Sequence, residues 1–361
     1  MNSVTQPPLT QVSPEEHIRS VIGLSKRMLA DVVHALERIH GINQTIHILS
    51  MNARVEAARA GDAGRGFAVV AQELTRLSSA TDQTARDVET TSRATGEELN
   101  SIAARLANEV LDNRLCDLAL GSIDIIDRNL YERSCDVRWW ATDSAVVDCA
   151  REPGPERVAH AAQRLGQILD SYTVYLDLLV VGLDGRVLAN GRPGAWPRTV
   201  GADVSRSTWF TTALQTRDGT EFGFESVHAS TLVGGERVLV YSCTVREGGD
   251  VKGRPLGVLG IVFRWDALGQ EILRRTPLPP EEWRTTRAAI VDANGIVLAD
   301  SDEHRIGSRL DFDGRDALFA QARGAVTVRL ESRTTRVCHA RAPGFETYST
   351  GWHSVILRRL D

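Results

Sequence analysis

The sequence predicts an α+β, multidomain protein: an antiparallel helical hairpin comes first, then a long helix leads to two related α/β lobes. Three observations carry this expectation. No proline interrupts the chain between Pro14 and Pro153, and a stretch of that length without a strong breaker calls for long helices. Inside it, Gly61, Gly64 and Gly66 cluster in "RAGDAGRG", the natural place for the chain to reverse. Beyond Pro155 the texture changes to short apolar runs around Asp-Gly turns. One such unit occurs twice, as "LLVVGLDGRVLANG" from Leu178 and "AAIVDANGIVLADS" from Ala288.

Residues 1–12 are polar and proline-bearing and are expected to be disordered. "SPEE" then starts a helix. Ser13 is the expected N-cap, Pro14 suits the first turn, and Glu16 completes a capping box. Apolar residues follow at Leu29, Val32, Leu36, Ile39, Ile42, Ile46, Leu49 and Ala53. Their steps alternate three and four apart from a doubled three at Ile39–Ile42, which reads as a coiled-coil or bundle seam. Val70, Leu74, Leu77, Thr81, Ala85 and Val88 form a weaker seam on the way back. A helix from Ser13 to Ala60 would be roughly 70 Å long at about 1.5 Å per residue. So narrow a rod cannot bury its seam alone, and a homodimer forming a four-helix bundle is the expected solution.

The helical pattern continues from Leu99 to about Cys149, through Ile102, Leu106, Val110, Leu118 and Ile125, and ends at Pro153, Gly154 and Pro155. A further helix is expected over about 156–173. The two repeated units each read as a strand, an Asp-Gly or Asp-x-x-Gly turn and a second strand. Each is followed by strands that close a small sheet, over about 222–265 and about 323–358. Pro277, Pro279 and Pro280 mark the connection between them. The expected organisation is 1–12 tail, 13–100 hairpin, 101–173 connecting helices, 174–276 first lobe and 277–361 second lobe.

Composition excludes several function classes. The 361 residues carry a formal net charge of −5, which gives no electrostatic footprint for nucleic acid or an anionic membrane. Apolar runs such as Leu178 to Leu183 are far too short for a spanning helix. The N-terminus has neither the basic head nor the apolar core of a secretory signal, so a soluble, cytoplasmic protein is expected. Cys116, Cys135, Cys149, Cys243 and Cys338 are odd in number and scattered, the pattern of structural thiols. His40 and His47 are better read as ordinary helix histidines than as a ligand pair. No nucleophile elbow, phosphate-cradling loop or metal-spaced cysteine set is present. Hence no catalytic residue, metal or cofactor is expected, and no enzyme.

From about Ile39 to Leu77 the chain closely resembles the cytoplasmic tip of methyl-accepting chemotaxis proteins, in "ILSMNARVEAARAGDAGRGFAVVAQELTRLS". The resemblance implies docking of a CheA-type histidine kinase and a CheW-type coupling protein, and assembly of dimers into trimers of dimers. It places Ile48, Glu56 and Arg59 at dimer-to-dimer contacts, and Asp62, Val69 and Val70 on or near the coupling surface. Asn52 and Glu73 complete the polar pattern, and Arg65 and Phe67 belong to the same tip. Glu56 and Arg59 are three apart on one helix face, so they are expected to pair across neighbouring hairpins and set partner choice rather than stability. The chain departs from the family's usual residues at Gln44, Arg54 and Asp62.

From about Leu106 onward the chain resembles the double Cache domain, a tandem PAS-like sensor, in "SRSTWFTTAL", "GVLGIVFRW" and "PGFETYSTGWHSVIL". The resemblance implies a small-molecule ligand in the first lobe, with Arg206, Trp209, Phe210, Phe222, Phe224 and Tyr241 as candidate lining residues. Ser207 and Val262 stand where amino-acid-binding members carry an arginine and an aspartate.

Together these readings point to a chemoreceptor-like transducer of unusual order, output hairpin first and sensor second. Its partners would be the kinase and coupling protein at the tip and a small molecule at the sensor. Glu97 and Glu98 in "ATGEELNS" are candidate methylation sites. The alternative is a non-chemotactic scaffold whose Cache-like part serves for dimerisation.

Overall fold

A computed structural model describes residues 14–360. The tail 1–12 and the Ser13 cap lie outside the described residues, as does the Glu16 side chain. The chain divides into two compact units, residues 1–113 and 114–361.

The first unit is the hairpin. Helix α1, Pro14–Arg59, is joined through a 3-10 turn, Gly61–Gly64, to helix α2, Arg65–Trp140. Two glycines make the reversal. Gly61 takes φ +59, open to it without a Cβ clash. Gly64 lies so close to α1 that a Cβ would sit 2.1 Å from the Ala57 carbonyl oxygen.

The seam inside the hairpin differs from the expected one. Ser25, Leu29, Val32, Leu36, Asn43, Ile46, Ser50, Ala53 and Ala57 face inward and are buried or half-buried. Opposite them lie Ala71, Thr75, Ser78, Asp82, Ala85, Gly96, Leu99 and Ala103. Ile42 and Leu49, expected inside, are 61% and 62% exposed, and Leu77 and Val88 also face out. The alternation of three and four therefore passes through Asn43 and Ser50, which removes the doubled three. Polar contacts fix this register. Asn43 Nδ2 donates to the Ser78 carbonyl at 2.7 Å, and the Ser50 and Thr75 hydroxyls meet at 3.1 Å. The His40 ring meets Asp82 at 2.9 Å. Asn43, Ser50, Ala57, Ala71 and Ser78 let the two helices approach closely, while Ile42, Leu49, Leu77 and Val88 stay on an outer face.

The second unit carries two five-stranded antiparallel sheets. Before them, the end of α2 is followed by α3 (Ser144–Arg151) and α4 (Pro155–Ser171). The single helix expected to Cys149 thus breaks after Trp140, and Asp143 caps α3 by accepting from the Ala145 N–H at 3.0 Å. The first lobe contains β1 (Tyr175–Gly182), β2 (Val187–Asn190), α5 (Thr208–Leu214), β3 (Gly223–Ser230), β4 (Glu236–Arg246) and β5 (Pro255–Arg264), in sheet order β2-β1-β5-β4-β3. Helices α6 (Trp265–Arg274) and α7 (Pro280–Trp283) lead to the second lobe. There β6 (Thr286–Val291), β7 (Val297–Asp300), α8 (Arg315–Phe319), β8 (Arg323–Leu330), β9 (Arg333–Arg341) and β10 (His353–Arg359) form a sheet in order β7-β6-β10-β9-β8.

The two lobes repeat each other in detail. Leu179 pairs with Asn190 as Ala289 pairs with Asp300, and each hairpin has a bulge at the matching position, Val180/Val181 and Ile290/Val291. Gly185 and Gly295 turn the chain at φ +81 and +84. Each hairpin also buries a polar pair at the same two positions. In the first lobe Asn190 Nδ2 donates to Asp177 at 2.7 Å; in the second Arg287 donates to both oxygens of Asp300, at 2.7 to 3.0 Å.

Candidate functional site

At the hairpin tip, the turn from α1 to α2 presents an apolar and charged surface. Phe67, Val69 and Val70 are 73%, 67% and 58% exposed, and Ile48 is also exposed. Asn52 lies exposed on α1. The tip charges pair locally. Arg59 reaches Glu56 at 3.6 Å, Arg65 reaches Asp62 at 3.0 Å, and Arg76 reaches Glu73 at 2.8 Å, each three residues apart on its own segment. Such solvent-exposed pairs add little to stability and are free to exchange partners. The apolar residues between them cost water contact without any packing return within the hairpin, which is the composition of a docking surface. Glu97 and Glu98 are exposed on α2, beside Gly96, whose missing side chain leaves room for Leu29 at 3.4 Å from an added Cβ.

In the first lobe the six sequence candidates do not converge on one cavity. Trp209 and Phe210 lie on α5, 2% and 3% exposed, in a core with Leu179, Val181, Val240 and Val262. The Trp209 ring lies over Gly260, where a Cβ would come within 2.8 Å of it. Its backbone N–H donates to Glu225 at 3.2 Å, and its carbonyl accepts from Ser242 at 2.6 Å. Arg206 is exposed at the start of this segment. Phe222, Phe224 and Tyr241 do gather, but against the second lobe. Tyr241 shares a hydrogen bond between hydroxyls with Tyr348, Phe222 lies 6.2 Å from Tyr348, and Phe224 lies 6.5 Å from Trp352.

This aromatic joint is fastened to α2. Asp127, fully buried, accepts from the Gly344 and Thr350 N–H groups at 2.9 and 3.2 Å and from the Thr350 hydroxyl at 2.7 Å. Burial is the largest influence on its carboxyl and raises its pKa against the pull of those donors. Further along α2, Asp136 accepts from the Tyr175 hydroxyl, and the buried Arg133 guanidinium lies 5.2 Å from the Tyr175 ring. Arg138 donates to the Thr220 carbonyl and sits over Phe222. One helix thus contacts both lobes, Asp127 the second and Asp136 and Arg138 the first. Sequence reading passed over these residues because an acidic residue in a helical run looks solvated. The signal was Asp127 on the apolar face shared by Ile123, Ile126 and Leu130, all fully buried.

The second lobe carries a cleft of about 770 Å³, also missed from sequence. It is lined by the ends of β6, β9 and β10, the segment after β7 and the β8–β9 turn. No group of three or more metal-ligating side chains occurs among the described residues, and no helix among them is long and apolar enough to cross a membrane.

Comparison with known proteins finds two families, whose matches overlap over residues 68–113. The methyl-accepting chemotaxis protein (MCP) signalling domain family matches residues 11–113, and the Cache domain family matches residues 68–360. Methyl-accepting chemotaxis protein IV of Escherichia coli K12 is 42% identical over 78 residues, which are 22% of this chain and 14% of that protein. The chain spans only about an eighth of the length of the curated relatives it matches. Among solved structures, the ligand-binding domain of the Pseudomonas fluorescens chemoreceptor CtaA, in complex with L-leucine, matches with a TM-score of 0.50 at 18% identity. That match covers 71% of this chain and 98% of CtaA's domain. The sensor domain of the Vibrio cholerae histidine kinase DctB matches with a TM-score of 0.54 at 12% identity, covering 70% and 98%. At those identities the likeness is one of fold. With the Cache match extending over most of its length, the chain belongs to the Cache domain family, with a methyl-accepting chemotaxis signalling domain at its N-terminal end.

Proposed function

We propose that the protein is a chemoreceptor-like transducer in which a small molecule bound by the Cache unit controls a CheA-type kinase and CheW-type coupling protein docked at the hairpin tip. The observation that carries this reading is α2. Its first part is the return arm of the hairpin, and its second part bears the Asp127, Arg133 and Asp136 contacts to both lobes. A ligand that favours one arrangement of the lobes would bias the helix to which they are fastened. It can do so only by its differential affinity for the two arrangements, a coupling of about 1–3 kcal/mol in typical cases.

A homodimer forming a four-helix bundle is part of the proposal. Ile42, Leu49, Leu77 and Val88 supply the apolar face that a second hairpin would cover. Trimers of dimers would bring Ile48, Glu56 and Arg59 together across hairpins. The five free thiols suit the reducing cytoplasm. Glu97 and Glu98 are exposed and would be open to a methyltransferase; mass spectrometry after incubation with that enzyme reads this directly.

Recognition of a free amino acid, as in the leucine complex of CtaA, is not part of the proposal. Val262 is fully buried in the first-lobe core and offers no charge to an amine. The packing of Trp209 and Phe210 as core favours a second reading, a scaffold that holds the kinase without a first-lobe ligand.

The test is reconstitution of the full chain with kinase and coupling protein, followed by phosphotransfer and co-sedimentation. Phe67→Ala with Val69→Ala should abolish co-sedimentation while leaving the helical melt unchanged, because both side chains are exposed. Absence of any association of the unmodified chain with either partner would sink both readings.

A further inference from the structure

We propose that the cleft of the second lobe is a binding site for a small multivalent organic anion, a di- or tricarboxylate or a phosphorylated metabolite. The proposal deepens the sensor reading, on which its signalling consequence rests, by moving the ligand from the first lobe to the second.

The charge balance of the cleft points this way. Arginines lining it outnumber carboxylates seven to four, within a chain that is net acidic. The carboxylates are largely taken. Asp302 and Glu331 both engage Arg305, and Asp311 engages Arg315 from outside the lining. Arg287 is held by Asp300 below the cleft. Arg309, Arg329 and Arg333 have no carboxylate within ion-pair distance among the described residues, and all three are exposed. Guanidinium groups left without protein anions around one recess concentrate positive potential there. Each can also offer paired N–H donors to a carboxylate or phosphate.

Shape and lining agree with charge. A volume of about 770 Å³ lies within the roughly 300–1,000 Å³ of small-molecule sites. Leu310, Phe312, Leu330 and Leu357 give it apolar walls, so a carbon skeleton between the anionic groups would be accommodated. The β8–β9 lip is a two-residue turn with Glu331 and Ser332 in the left-handed region, φ 50 and 69. Neither residue is glycine, so the turn is held at some cost, and the Glu331–Arg305 pair ties it across the cleft. In each lobe a short helix fills part of the sheet face, through Trp209 and Phe210 of α5 in the first and Leu318 and Phe319 of α8 in the second. In the second lobe α8 has only five residues and packs against β8 and β9, which leaves the far end of the sheet open.

Isothermal titration of the full chain at constant ionic strength tests this. Citrate and succinate form the carboxylate arm, fructose 1,6-bisphosphate the phosphate arm, and acetate and sodium chloride the controls. At least one multivalent anion should bind saturably while the controls do not, and the arm that binds identifies the anionic group. Arg309→Gln with Arg333→Gln removes two exposed side chains without ion-pair partners, so the thermal melt should be unchanged while affinity falls by roughly tenfold or more. The site is overturned if no multivalent anion saturates at millimolar concentration, or if the double variant binds as well as the parent. Binding without any change in phosphotransfer would keep the site and defeat the sensor reading. A phosphotransfer response to some other compound, with no anion bound here, would do the reverse.

Discussion

Acidification should loosen the second lobe through one buried pair of histidines. His339 on β9 and His353 on β10 are 0% and 3% exposed, and their Nδ1 atoms face each other at 3.3 Å. Phe319 stacks on the His353 ring at 4.1 Å and 14°. Only one of the facing nitrogens can carry a proton without opposing another donor, so the pair is built for neutral rings. Burial is the main cause that lowers each pKa from 6.5 to about 4, and the positive charge of Arg341 adds to it. The sign follows from linkage. The unfolded chain takes up protons first as pH falls below 6.5, so stability present above that value is lost progressively down to about pH 4. At about pH 5 each ring costs about 2 kcal/mol, or about 4 kcal/mol for the pair if they titrate independently. That is a large share of the stability of a single lobe. Proton NMR titration of the imidazole Cε1–H signals, assigned with His339→Gln and His353→Gln, reads the cause. Urea unfolding near neutral pH and at about pH 5 reads the consequence. Midpoints near 6.5 for both rings, or an unchanged urea midpoint across the window, would refute the reasoning.

Three further outcomes are expected. Asp177, buried on β1, has its pKa raised from 3.8 to about 6 by burial, despite donors from Asn190, Leu178 and Arg192. Its contribution is therefore present below 3.8 and lost as pH rises through about 6, by about 3 kcal/mol; carbon NMR of the carboxyl should show ionisation near 6, and a midpoint near 4 would contradict this. Gly64→Ala places a methyl 2.1 Å from the Ala57 backbone oxygen, which cannot move aside without opening the turn, so the helical melt should fall by several degrees; an unchanged melt would show that the tip is looser than described. Asp127→Ala leaves the Gly344 and Thr350 N–H groups and the Thr350 hydroxyl without their acceptor. It should cost about 2–4 kcal/mol, with Asp127→Asn intermediate by thermal unfolding; equal stability of all three proteins would rule out the fastening.

Much of the fold was legible because it rests on local signals. The glycine cluster at 61–66 marked the reversal, and the repeated strand-turn-strand units marked both lobes, whose hairpins share a bulge that no sequence signal announced. The hairpin seam was misread for a physical reason. Helix α1 carries two adjacent apolar faces, one turned to α2 and one, with Ile42 and Leu49, turned outward. Periodicity alone cannot say which is which. Ile42 and Leu49 looked like the inner face because they are large, but the close inner contact selects Asn43 and Ser50, whose hydrogen bonds to Ser78 and Thr75 fix the register. The break after Trp140 had no proline or glycine to announce it; the cap at Asp143 was its only local mark.

The sites were less legible because they are assembled from distant segments. At the tip the candidates are close in sequence: Phe67, Val69 and Val70 stand exposed together within four residues of chain. In the sensor, aromatic residues drew attention as ligand walls, yet Trp209 and Phe210 are spent on the first-lobe core and Tyr241 on the joint with Tyr348. Aromatic side chains bury so much apolar area that packing is their commoner use. The arginines of the second-lobe cleft were invisible for the opposite reason. Arg287, Arg309, Arg333 and Arg359 come from separate segments, and each alone reads as an ordinary surface charge. Only the fold reveals that three of the four nearby carboxylates are already engaged, and it is on that imbalance, not on the arginines themselves, that the proposed preference for an anion rests.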